Sequence, residues 1–143
     1  MKVRCRFNQI GDIPEIDVKN RLAESIHRNG SDDDLVEGTT YAVFALARWN
    51  DGGLRVYLHT IKESEHPYPY PLEMFEVVDP NIPENWKFVF EQRPTGLEIK
   101  LMSFPEWIED IRFYEKLVEG DECAIASYNL QRFSVKPRPT AGA

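Results

Sequence analysis

Thr39-Thr40-Tyr41-Ala42-Val43-Phe44-Ala45-Leu46-Ala47-Arg48-Trp49, followed by Asn50-Asp51-Gly52-Gly53 and then Leu54-Arg55-Val56-Tyr57-Leu58-His59-Thr60-Ile61, decides the fold. The first run alternates with a period of two, and both of its faces are largely apolar, so it reads as a central strand rather than an edge. Asn, Asp and Gly tolerate the positive φ that a tight hairpin turn requires, which pairs this strand with the return run Leu54–Ile61.

Outward from the hairpin, Val3, Cys5 and Phe7 alternate with Lys2, Arg4 and Arg6, giving a half-buried first strand with a basic outer face. Between Ile13 and Arg28, Pro14, Glu15 and Asp17 can open a helix, with Val18, Leu22 and Ile26 at helical spacing. Asn29-Gly30-Ser31-Asp32-Asp33-Asp34 predicts an exposed acidic loop. The stretch Glu65-His66-Pro67-Tyr68-Pro69-Tyr70-Pro71 has proline at every second position, so it predicts a connector or a sheet edge. Short strands follow at Met74–Val78, Trp86–Glu91 and Leu97–Met102, in an order that suits a meander.

Ser103-Phe104-Pro105-Glu106 predicts a helix start capped by Ser103. The helix runs over about 104–119, with Trp107, Ile111, Tyr114 and Leu117 or Val118 facing the core and Gly120 ending it. The run Glu122–Val135 reads as a closing strand. Together these elements predict an α+β fold built mostly on an antiparallel sheet, as one domain over residues 1–135 with a disordered tail over 136–143. Trp49, Trp86 and Trp107 are candidate core anchors.

Composition narrows the function. The 143 residues carry 24 acidic and 17 basic side chains, a net charge of -7, which repels nucleic-acid phosphates and anionic membranes. No run approaches the roughly 20 apolar residues of a membrane span, and no apolar stretch after Met1-Lys2-Val3-Arg4 suits a signal peptide. Cytoplasmic residence is the expectation, with Cys5 and Cys123 as buried, reduced thiols.

Chemistry-bearing patterns are sparse. His27, His59 and His66 fall at no metal-ligand spacing, and His59 with Glu63, Glu65 and His66 is a weak cluster against the reading of solvated side chains. No glycine-rich phosphate loop and no facing carboxylate pair occurs. The sequence thus predicts no catalytic residues, no metal and no cofactor. Recognition features are the alternative. Asp32, Asp33, Asp34 and Glu37 offer an acidic patch for a basic partner, set against a plain solvated loop. Tyr68 and Tyr70 are aromatic groups on a stiff backbone, set against packing onto the sheet.

Val36-Glu37-Gly38-Thr39-Thr40-Tyr41-Ala42-Val43-Phe44-Ala45, then Pro71-Leu72-Glu73-Met74-Phe75-Glu76-Val77-Val78-Asp79 with Trp86, and later Pro105 and Phe113-Tyr114-Glu115, form a pattern that resembles small bacterial immunity proteins of polymorphic toxin systems. That resemblance implies a small, acidic, cytoplasmic protein without catalytic residues that blocks one cognate toxin. Taken with the net charge of -7 and the lack of chemistry, the leading expectation is a protein that neutralises a basic partner, such as a nuclease toxin domain, by occluding its active site. It transfers no binding residue. A second reading is a scaffold that self-associates as a homodimer through a sheet edge. A third is an enzyme whose site is assembled from His59, Glu73 and Tyr57.

Overall fold

The computed structural model describes residues 1–25, 34–50, 52–92, 94–96 and 98–134. The strands are β1 (Lys2–Cys5), β2 (Thr40–Arg48), β3 (Leu54–Leu58), β4 (Tyr68–Pro71), β5 (Phe75–Asp79), β6 (Lys87–Gln92) and β7 (Glu98–Ser103). The helices are α1 (Ile16–Ser25), α2 (Pro105–Glu109), α3 (Phe113–Glu119) and α4 (Glu122–Ser134). Every strand pairing is antiparallel within one seven-stranded sheet, so the α+β expectation holds. The acidic-loop residues Asp32 and Asp33, the turn residue Asp51 and the tail over 136–143 lie outside the described residues.

β2 is central, as its two apolar faces require, and the sheet forks along it. β3 lies on one side; on the other, the first half of β2 pairs with β1 and the second half with β7. β5 extends the β1 limb, β6 extends the β7 limb, and β4 forms the outer edge beyond β3. A register shift between Val43 and Ala45 inserts one extra residue into β2 at the fork. Such a bulge reverses the alternation beyond it. Val43 and Leu46 consequently join one core, while Phe44 and Ala45 both join the other.

One core lies under α1, where Leu22 and Val18 pack with Val3, Val43, Val56, Leu58, Tyr70 and Phe75. The opposite core lies under α2, α3 and α4, around Phe44, Phe104, Trp107, Phe113, Leu117 and Tyr128. Trp86 touches both. The hairpin closes through Trp49 N–H to Gly53 O at 2.9 Å, with Gly52 at φ 82°.

Five expectations are corrected. The three middle strands are not a meander: β5 pairs with β1, and the Pro80–Trp86 connector carries the chain to the other limb, where β6 and β7 pair. The segment 104–119 is two helices. Asp110 adopts extended φ and ψ of −125° and 105°, and its side chain accepts the Arg112 N–H at 3.0 Å and the Lys116 ammonium at 2.7 Å. A side chain that takes a backbone donor two residues on competes with the helix ladder and ends it. The break changes the phase, burying Phe113 and leaving Ile111 exposed.

Ser103 does not cap α2. It remains in β7, fully buried, and donates its hydroxyl to Phe44 O at 2.6 Å, while Phe104 occupies the N-cap position without a side-chain bond. Of the run read as a closing strand, Glu122–Ser134 is helical rather than extended, and Val135 lies outside the described residues. Gly120, at φ 87°, terminates α3, and Asp121 then accepts the Ala124 N–H at 2.9 Å, an N-cap that starts α4 at once. Ala124 and Tyr128 are one turn apart and face the core. Cys123 is therefore exposed on a helix instead of buried in a strand, whereas Cys5 is buried in β1.

Candidate functional site

Between the second half of the sheet and the α2–α3 junction lies a groove of about 490 Å³. Ala47 and Leu101, opposite each other on β2 and β7, form its floor. The small Ala47 side chain leaves room for rings on both sides. Tyr57 of β3, Trp107 of α2 and Tyr114 of α3 make one wall, with Trp49 and Ile111 at the mouth.

The wall is rigid. Trp107 and Tyr114 stack at 5.6 Å with 7° between their planes, and Tyr57 meets each of them edge-on at 5.1 Å. Aromatic pairs in these geometries add about 0.5–1.5 kcal/mol beyond their burial. The hydroxyls are held as well: Tyr114 donates to Pro67 O at 2.8 Å, and the Trp49 indole N–H donates to the Tyr57 oxygen. Burial pushes the Tyr57 phenol up, against the opposing effects of Trp49 and the Arg55 guanidinium, and burial pushes Tyr114 up further. Both phenols are neutral across the physiological range.

Arg55 is 1% exposed, and its guanidinium carbon sits 4.5 Å from the centre of the Trp49 ring. This cation–π contact holds Trp49 over the hairpin while 38% of the residue stays open to solvent. The rim carries Arg48, Asn50, Glu98 and Lys100, with Lys100 and Glu98 paired at 3.3 Å. A smaller hollow of about 210 Å³ shares that rim. An apolar, aromatic depression with a few polar groups at its mouth is the usual form of a binding site.

Of the binding and catalytic candidates named from the sequence, Tyr57 lines the groove, and the other described ones are placed elsewhere. Asp34 and Glu37 are exposed. Tyr70 is 3% exposed, with its hydroxyl 2.6 Å from Thr60 Oγ1, so it is a core residue and offers no contact surface. Tyr68 is half-buried on the edge strand, 3.3 Å from Ser64 Oγ and against the His66 ring. His59, Tyr57 and Glu73 do not assemble. His59 Nδ1 lies 2.7 Å from the Tyr128 hydroxyl beneath α4, Tyr57 belongs to the groove, and Glu73 is ion-paired with Arg21 of α1. Burial, reinforced by the Arg132 charge, lowers the His59 pKa and keeps its ring neutral at pH 7. Among the described residues no group of three or more His, Cys, Asp or Glu side chains could hold a metal, and no helix is long and apolar enough to cross a membrane.

Of the three candidate core anchors, Trp107 is buried at 4% exposure, Trp86 is partly buried against both cores, and Trp49 is 38% exposed. The one available signal was position. Trp49 directly precedes a turn, where a ring can reach the surface while its backbone ends a central strand. No protein-family model matches the chain, and comparisons with curated proteins and with solved structures give no match.

Proposed function

We propose that this chain is a non-catalytic binding protein that seats an apolar side chain of a basic protein partner in the groove between Trp49, Tyr57, Trp107 and Tyr114. The carrying observation is the pre-stacked aromatic wall beside a half-exposed Trp49 and Ile111, because rigid aromatic side chains lose little entropy when a partner docks. The net charge of -7 supports a basic partner, since such a field speeds the capture of positively charged proteins. Neutral, bonded tyrosines and a neutral His59 held against Tyr128 suit recognition better than proton transfer.

The partner class that fits this reading is a nuclease-type toxin domain whose active site is covered, as the resemblance to bacterial immunity proteins implies. Cytoplasmic residence belongs to the same reading, and an exposed Cys123 suits a reducing compartment.

The test is capture of partners by the tagged protein from its source cells at low and high salt, repeated with Ile111→Asp. A basic protein that is toxic when expressed alone, is neutralised by the wild-type chain, and is released both by salt and by Ile111→Asp supports the reading. A partner held equally well by Ile111→Asp, or no partner at either salt, overturns it.

A further inference from the structure

We propose that β6 is a homodimerisation strand that pairs antiparallel with β6 of a second copy about a two-fold axis through Val89. This rests on the free edge of the sheet and goes beyond the groove reading, which it does not require. Among the described strands, the outer edges belong to β4, β5 and β6. β4 carries Pro69 and Pro71, which cannot donate to a ladder. β5 centred on Val77 would set Phe75 against Asp79 of the other copy, an apolar group against a carboxylate.

β6 differs, because Lys87-Phe88-Val89-Phe90-Glu91 is complementary to its own reverse. In the pairing centred on Val89, Lys87 lies opposite Glu91 of the second copy and Phe88 lies opposite Phe90, twice each by symmetry. Residues directly opposite have Cβ atoms about 4.5–5.5 Å apart, close enough for both ring contact and charge pairing.

The faces also agree. Lys87 and Glu91 point to the side covered by α2, where Lys87 already reaches Glu109 at 2.9 Å. Phe88 and Phe90 point to the bare side, 59% and 53% exposed, backed by Met102 and Lys100 of β7. An exposed edge with three consecutive apolar residues is the kind of strand that natural proteins otherwise blunt. Pairing would close it and gather four phenylalanine rings into one cluster.

Sedimentation velocity of the full chain tests the register. Wild-type protein is expected to self-associate reversibly. Lys87→Glu and Glu91→Lys each turn two opposite-charge pairs into like-charge pairs, so each alone is expected to weaken the dimer about tenfold or more. Mixing the two variants sets the introduced glutamate of one copy against the introduced lysine of the other and keeps one native Lys87–Glu91 pair. The mixture is expected to restore association to the wild-type level. Glu119→Lys on α3 makes the same charge change as Glu91→Lys at a distant exposed site and should leave the dimer unchanged. A strict monomer at high concentration, or mixed variants that stay as weak as either alone, overturns the proposal; circular dichroism of each variant confirms that it is folded.

Discussion

Trp107 and Tyr114 stack at 5.6 Å, nearly parallel, across a helix break that Asp110 creates. The groove depends on that break. A continuous helix would carry Ile111 toward the core and displace the Phe113 ring, which packs 5.6 Å from both Phe104 and Trp107.

Asp110→Ala is expected to loosen the α2–α3 junction and to reduce the near-ultraviolet circular dichroism of the stacked aromatics. Hydrogen bonding by Lys116, then by the Arg112 backbone N–H, holds the Asp110 carboxyl below its usual range. A carboxylate whose folded-state pKa is depressed contributes stability above its unfolded pKa, and the contribution is lost as pH falls through the folded value. The wild-type advantage over Asp110→Ala should therefore be present at neutral pH and vanish in strong acid, as followed by thermal melts across pH.

Phe104, at 1% exposure, packs edge-on against Trp107 and Phe113. Phe104→Ala should cost about 3–5 kcal/mol in urea unfolding. Phe88→Ser, on the bare face of β6 in the single chain, should cost less than about 1 kcal/mol when unfolding is followed at a concentration low enough to keep the chain monomeric. Equal losses would contradict the assignment of core and open face.

Tyr128 is fully buried, and its hydroxyl has the His59 ring nitrogen as partner. Tyr128→Phe removes that bond and should destabilise the fold by about 1 kcal/mol. In the wild-type protein the imidazole should titrate below the ordinary histidine value, measured by NMR. Because burial lowers the folded-state pKa, His59 contributes stability above its unfolded value that disappears as pH falls through the folded one.

Gly52 holds φ at 82° in the hairpin turn, with open space around its Cα. Gly52→Ala is thus expected to lose about 1 kcal/mol through backbone strain alone, without a clash, and chemical denaturation reads it directly.

The hairpin, the central β2 and the proline-bearing edge β4 were legible because period-two alternation and turn chemistry are local signals. The forked sheet was not. It depends on a bulge at Phe44 that is invisible until β1 and β7 claim different halves of β2. Glu122–Ser134 was misread because its apolar residues fit either period, and the deciding feature is a cap, Asp121 directly after the left-handed Gly120. The groove escaped notice for a similar reason: Tyr57, Trp107 and Tyr114 look like core residues one at a time, and only the tertiary approach of α2 and α3 to the end of β3 makes them a wall. Tyr70 shows the converse, since a stiff proline-flanked backbone placed its ring inside the core rather than outside.

The most direct test of the central claim is titration calorimetry of the captured basic partner against wild-type and Ile111→Asp protein. Ile111 is 52% exposed at the groove mouth and belongs to neither core, so the variant should unfold at the same urea concentration as wild type. Burying a new carboxylate against the aromatic wall should weaken binding about 30-fold or more. Unchanged affinity with an unchanged fold would show that the partner docks elsewhere and would contradict the account.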